Sequence, residues 1–196
     1  MKRPRTTREE TRLQIMEKAD ELFRQYGFGK TTVADIAAGL GMSPANVYKF
    51  FPSKNAIVES CAERNLGTIQ ESLSKIVQSP KGAMDRIQEC ILTVFRFHNE
   101  LFRNERQIFK LVASAIEERW RCIREYDQFM LDTLTRLVSE GVQSGELRPT
   151  EARETAQALL DCLSLALHPH LRHDFNHDEN EERVEAQLRF VGKALK

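Results

Sequence analysis

An all-α fold of nine helices is what this 196-residue sequence predicts, and three observations carry the prediction. Apolar residues return at three- and four-residue intervals along most of the chain, the spacing of a helix with one buried face. No stretch of Val, Ile and Thr alternates with a period of two, as half-buried strands do. Charged residues make up 30% of the chain while Gly and Pro number only nine and six, a composition that favours helices. The length suits one good-sized core, or a small head on a larger body.

The first helix opens at a capping box, Thr7 with Glu10, in which each side chain takes the other's backbone N–H. Ile15, Ala19, Leu22, Phe23 and Tyr26 follow at helical spacing, and Gly27 and Gly29 close it. A second box, Thr32 with Asp35 in place of the usual Glu, opens a short helix with Val33, Ile36, Ala37 and Leu40 inward. Gly41 breaks that helix. Ser43 caps a third, with Pro44 at the first position, where a missing N–H costs nothing. Its end is expected near Phe51 and Pro52, because the residue before a proline is pushed out of the α region.

Ser53 begins a long fourth helix with Val58, Ala62, Leu66, Ile69, Leu73 and Ile76 on one face, stopping at Ser79-Pro80. The fifth carries Ile87, Ile91, Val94, Phe95, His98, Leu101 and Phe102. A sixth runs through Ile108, Val112 and Ile116, and a seventh through Ile123, Met130, Leu137 and Val138 to Gly141. A turn at 145–149 precedes a very apolar eighth segment, 156–167. After a connector at 168–179, a ninth helix presents Val184, Leu188, Val191 and Leu195.

Net charge is zero, so overall basicity does not argue for a nucleic-acid partner. Its distribution does. Residues 1–55 hold ten Lys/Arg against six Asp/Glu, a net of +4, and the remainder therefore carries −4. Lys2, Arg3, Arg5 and Arg8 all precede the first acid. A basic arm and head on an acidic body point to a polyanion at one end; a solvated tail is the alternative. No apolar run is long enough to span a membrane, and the start lacks the apolar core of a signal peptide, so a cytoplasmic location is expected. Cys61, Cys90, Cys122 and Cys162 stand singly, without a CxxC pair, which reads as reduced, buried thiols and not as a zinc finger or disulfide scaffold. No nucleophile in a recognisable setting, phosphate-binding Gly loop or paired-carboxylate motif stands out. We therefore expect neither an enzyme nor a cofactor.

The second and third helices form the most specific pattern. Ala37, small enough to let the paired helices approach closely, is followed four residues later by Gly41, which supplies the positive φ of a sharp turn. Val47, six further on, anchors the third helix. The exposed face of that helix is then Pro44, Ala45, Asn46, Tyr48 and Lys49, on an element that fits the major groove. The run 31–37, then Gly41-Met42-Ser43, then 47–54 (Val-Tyr-Lys-Phe-Phe-Pro-Ser-Lys) resembles the DNA-binding domain of the TetR/AcrR family of transcriptional regulators, over about residues 10–57. Met42 stands where the family usually has Val, and Phe50 where His or Tyr is frequent. Beyond residue 80 only the helical pattern and the length agree.

The resemblance implies a TetR-like fold with a three-helix DNA-binding head, 1–54, and a regulatory and dimerisation body, 55–196. Thr32 and Tyr48 would donate to phosphate oxygens, and Lys54 would pair with the DNA backbone at the start of the fourth helix. Ser43, Ala45, Asn46 and Lys49 would face the bases, with Pro44 beside them on the DNA-binding face: Asn46 an adenine edge, Lys49 a guanine or a phosphate, Ala45 a thymine methyl. Plainer roles stand beside these, capping for Ser43 and packing for Tyr48. The implied function is that of a ligand-responsive repressor, released from a palindromic operator on double-stranded DNA by a small lipophilic or aromatic effector. A metal-responsive or ligand-independent regulator is the alternative.

The body adds two readings. Between residues 156 and 167 only Gln157, Asp161 and Ser164 are polar, more apolar surface than one chain buries with a single stripe, so the two C-terminal helices are expected to form a homodimer. Aromatics concentrate in the middle helices, and by the family analogy Phe95, His98, Phe102, Phe109, Trp120 and Tyr126 would partly line an effector pocket, although plain core is the other reading. The fourth helix, continuous from head to pocket, would act as the lever between them. His168, His170, His173 and His177 cluster with Asp174 and Asp178, but without a helical i,i+4 pair they read as a solvated connector, and no metal site is expected.

Overall fold

The computed structural model describes residues 7–104, 106–148, 150–164 and 177–196, the side chains of 102, 104, 106, 109 and 177–180 excepted. Among the described residues there are nine helices and no strand. They are α1 (Arg8–Tyr26), α2 (Val33–Gly39), α3 (Pro44–Tyr48), α4 (Lys54–Val77), α5 (Ala83–Asn104), α6 (Arg106–Glu117), α7 (Arg121–Gln143), α8 (Ala152–Cys162) and α9 (His177–Leu195). No helix is long and apolar enough to cross a membrane among these residues. The chain divides into two compact units, Met1–Leu66 with Glu105–Cys122, and Gly67–Asn104 with Ile123–Lys196.

That division departs from the boundary at residues 54/55 drawn on the sequence. The head keeps the first half of α4 and also takes in α6. The reason is local packing. Helix α6 lies on α1, and the Gln107 side chain sits so close to Gly27 that a Cβ there would stand 2.9 Å from Gln107 Oε1. Gly27 also has φ 84°, so it ends α1 in a conformation that other residues resist.

Both predicted capping boxes are present. Thr7 N donates to Glu10 Oε2 at 2.7 Å while Glu10 N donates to Thr7 Oγ1 at 3.1 Å. Thr32 N donates to Asp35 Oδ2 at 2.8 Å and Asp35 N to Thr32 Oγ1 at 3.1 Å. The shorter Asp therefore closes the box as Glu does. The first unit's core gathers Ile15, Ala19 and Phe23 from α1, Val33, Ile36 and Ala37 from α2, Val47 from α3, and Phe51, Ile57 and Val58 beyond it. Leu22 and Leu40 are half-buried, and Tyr26 is exposed.

Five expectations need correcting, the first being burial of all four thiols: Cys61, Cys90 and Cys122 are buried, but Cys162 is exposed at the end of α8. Helix α3 ends at Tyr48, short of Phe51, because Lys49 N and Phe50 N bond three residues back, to Asn46 O and Val47 O, and tighten the chain into turns. Helix α4 does not bury one continuous stripe. Ile57, Val58 and Cys61 are buried in its first half and Ile69, Leu73 and Val77 in its second, while Ala62, Leu66 and Ile76 are half-buried, since each half serves a different core. Gly141 does not stop α7, which continues to Gln143; a Cβ there would meet Leu147 Cδ1 at 2.6 Å and Ala83 Cβ at 2.9 Å, so this glycine permits close packing. The turn glycine is Gly145, at φ 77°. Helix α8 starts at Ala152, four residues before the apolar run, and buries Ala156 and Leu159, with Leu163 buried just past its end.

The second unit is pinned at its α5 end by a carboxylate from the turn after α7. Glu146 accepts from Ala83 N at 2.6 Å and Met84 N at 2.9 Å, satisfying two orphan donors of α5 from more than sixty residues away. Glu146→Ala should destabilise the protein by about 1–2 kcal/mol in denaturant unfolding. Nearby, Arg136 Nε donates to Glu140 Oε1 at 2.7 Å, and Arg86 Nη1 to Glu140 Oε2 and Val77 O, both at 2.8 Å. Arg136 foremost, and Arg86 beside it, hold the Glu140 carboxyl below its ordinary value of 4.5. A depressed carboxylate stabilises the fold above the unfolded value and loses that contribution as pH falls. The stability difference between wild type and Glu140→Gln should therefore be present at pH 7 and shrink as pH drops below 4.5.

Candidate nucleic-acid interface

Five residues make a helix too short to persist alone, so α3 is held from outside. Its entry is fixed by the turn from α2, where Gly41 adopts φ 62° and Met42 N returns to Ala37 O at 2.9 Å. Ser43 Oγ accepts from Asn46 N at 3.3 Å and Pro44 occupies the first helical position, as the sequence predicted. Val47 is fully buried. With that residue inward, Ser43, Pro44, Ala45, Tyr48 and Lys49 are exposed and Asn46 is half-buried. Tyr48 is 51% exposed, a large apolar ring presented to solvent. A short helix anchored by one buried valine, with small and hydrogen-bonding side chains outward, has the shape and chemistry of a groove-reading element.

The residues expected to contact phosphate are placed differently from one another. Thr32 Oγ1 is exposed but donates to Asp35 Oδ2 at 2.6 Å, so its proton must leave Asp35 to reach a phosphate. That hydroxyl first, with the Thr32 N–H, holds the Asp35 carboxyl below its ordinary range. Lys54 has a structural task that sequence reasoning missed. Its Nζ donates to Phe28 O at 2.7 Å and Thr31 O at 2.9 Å and lies 4.0 Å from the centre of the Phe28 ring. It ties the α1–α2 connection to the start of α4, with one N–H left for another acceptor. Arg12, also missed, bonds the Phe50 carbonyl and Ser60; no local signal in α1 announces a contact made 38 and 48 residues away.

The residues expected to line an effector pocket divide between the units. Phe95, His98 and Tyr126 are buried in the second. Trp120 belongs to the first, is half-buried and donates from Nε1 to Glu118 Oε2 at 2.8 Å. The side chains of Phe102 and Phe109 lie outside the described residues. Phe97 and His98 rings lie 5.8 Å apart, and Tyr126 stacks on Phe129 at 6.5 Å. Tyr126 Oη is buried without a hydrogen-bond partner among the described residues. Burial, then the neighbouring Asp127 and Cys90, push its ionisation far up, so it is a neutral O–H donor. Of the histidine cluster, His168, His170, His173 and the side chain of His177 lie outside the described residues, as do Asp174 and the side chain of Asp178. No group of three or more potential metal ligands occurs among those described.

Comparison with known proteins gives this arrangement its setting. Residues 15–61 match the model for bacterial regulatory proteins of the tetR family, and residues 83–187 match that for the tetracyclin repressor-like C-terminal domain. The chain belongs to the TetR family. It is a transcriptional regulator with an N-terminal DNA-binding domain. Among its relatives, the nucleoid occlusion factor SlmA of Edwardsiella ictaluri is 25% identical over 76% of this chain and 88% of its own length. The fatty acid metabolism regulator protein of Bacillus subtilis is 25% identical over 69% of this chain and 70% of its own. The crystal structure of a TetR/AcrR-family regulator from Thermobifida fusca superposes with a TM-score of 0.73, at 25% identity over 93% of this chain and 97% of that one.

The backbone at Gly41 gives a direct check on the turn. Gly41→Ala should cost about 1 kcal/mol or more in thermal or denaturant unfolding, while Gly41→Asn, which tolerates positive φ, should recover much of the loss.

Proposed function

We propose that this TetR-family regulator is a repressor that binds a palindromic operator as a homodimer and is released by a small lipophilic or aromatic effector. The observation that carries the DNA half is the outward face of α3: Ser43, Pro44, Ala45, Tyr48 and Lys49 exposed on a helix whose Val47 is fully buried. In this reading Asn46 and Lys49 read base edges, Ala45 meets a thymine methyl, and Tyr48, Thr32 and the remaining N–H of Lys54 hold phosphates.

The dimer is formed through α8 and α9. Helix α8 and its cap Leu163 bury Ala156, Leu159 and Leu163 within their own chain and leave Ala158 and Cys162 exposed, with Leu160 half-buried. On α9, Phe190 is 75% exposed. Apolar groups left outward on the two C-terminal helices are what a second copy would cover. Paired heads then address half-sites about 34–36 Å apart, one turn of DNA.

Effector binding is supported by Tyr126, whose buried hydroxyl lacks a partner among the described residues. An unsatisfied buried hydroxyl costs about 1–3 kcal/mol, which a ligand oxygen would offset. Phe129, stacked on Tyr126, and the buried Phe95 and His98 of the same unit are the side chains proposed to meet the rest of such a molecule. The fatty-acid-metabolism relative fits a lipophilic class. Helix α4, twenty-four unbroken residues contributing to both units, is the lever through which the ligand alters the spacing of the heads.

The test is fluorescence-anisotropy titration of the regulator on its own upstream DNA and on random duplex. Selective binding to a two-fold symmetric site is expected, and equal, salt-sensitive affinity for both DNAs would contradict the reading. Asn46→Ala should cost about 1–3 kcal/mol of operator affinity and relax selectivity at one position per half-site.

A further inference from the structure

Arg12 lies on α1, yet each group it touches lies beyond the end of α3 or on α4. Its Nη1 donates to the Phe50 carbonyl at 3.1 Å, its Nη2 donates to Ser60 Oγ at 3.0 Å, and its guanidinium carbon stands 4.1 Å from the centre of the Phe51 ring. Phe51 and Ser60 are buried and Arg12 is half-buried. A planar guanidinium with diverging N–H groups meets two acceptors on different segments while its face covers an aromatic ring; an ammonium provides neither the fork nor the stacking plane. The carbonyl it takes lies just past α3, in the tight turns through which α3 leads into α4.

We propose that Arg12 is a positioning residue for operator recognition: it locks the exit of α3 to α1 and to the second turn of α4, and so fixes the orientation in which α3 presents its exposed face. The inference rests on the DNA-binding reading above. The Ser43 cap and the buried Val47 secure the start and one side of α3; they leave its exit to be fixed by what holds Phe50 and Phe51. Because Arg12 grips that exit and Ser60 with one rigid group, α3 and α4 move together. Loss of the fork loosens the exit of α3, which the buried Phe51 still anchors, without removing any group that this reading places on DNA.

The decisive experiment measures affinity for an operator selected by the wild-type regulator from a random-sequence duplex pool, and for random duplex. Wild type, Arg12→Gln and Ser60→Ala are compared over a range of salt, at a temperature where melting curves show each protein folded. Arg12→Gln should lose about tenfold or more in operator affinity, its affinity for random duplex and its salt slope unchanged. Ser60→Ala should lose less, in the same direction.

A salt slope lowered by about one would make Arg12 a direct phosphate ligand and overturn the proposal. So would an equal loss on both DNAs, or operator affinity within twofold of wild type. Should Arg12→Gln fail to fold, Ser60→Ala decides alone, and unchanged selectivity in that variant overturns the proposal. A wild type that selects no operator would defeat the DNA-binding reading and this inference together, whereas a selective wild type beside an unchanged Arg12→Gln defeats the inference alone.

Discussion

A helix of five residues such as α3 cannot hold its own shape, and the first unit is organised around that constraint. Nucleating a helical turn fixes several dihedral angles for one hydrogen bond, so order in α3 has to come from tertiary contacts. They arrive from every neighbour: the Gly41 turn from α2, the buried Val47, and the Arg12 guanidinium on the exit. Lys54 adds a second brace of the same kind, joining the α1–α2 connection to the start of α4 through two carbonyls. On the exposed face Ser43 and Pro44 help to hold the start of the helix, while Ala45, Tyr48 and Lys49 are left outward by this support.

The inclusion of α6 in the same compact unit extends that logic beyond the head. Gly27 ends α1 with a positive φ and lies directly under Gln107, so the end of the first helix meets that side chain of the sixth without one of its own in the way. Arg121, at the start of α7, pairs with Glu63 of α4 within the same unit. Helix α4 belongs to both cores and buries a different set of residues in each. That double membership is why α4 is the element chosen for the lever proposed for effector release.

Much of the head was legible in the sequence because its determinants are local. Capping boxes at Thr7 and Thr32, Pro44 behind Ser43 and the left-handed glycine at 41 each act within a few residues, and each appears as read. What stayed hidden depends on partners far along the chain. The family resemblance assigns Lys54 a phosphate contact, and no local pattern announces that two of its donors serve carbonyls at 28 and 31. Gly141 looked like a stop, but its small size answers to Leu147 and Ala83 across a turn. A single apolar stripe on α4 was the natural reading of its periodicity, and no pattern within one helix reveals that it serves two cores. Among the aromatics, sequence spacing could not separate core from pocket; Tyr126 stands out only because burial leaves its hydroxyl without a partner among the described residues.

Native-state hydrogen exchange tests most directly whether α3 owes its order to the clamp around it. The amides of Val47, Phe50 and Phe51, which bond to Ser43 O and Val47 O, should open with the same free energy as the core amides of α1, in one cooperative unit. Exchange of those three amides near the unprotected rate, with α1 fully protected, would show that α3 frays independently and would contradict the account.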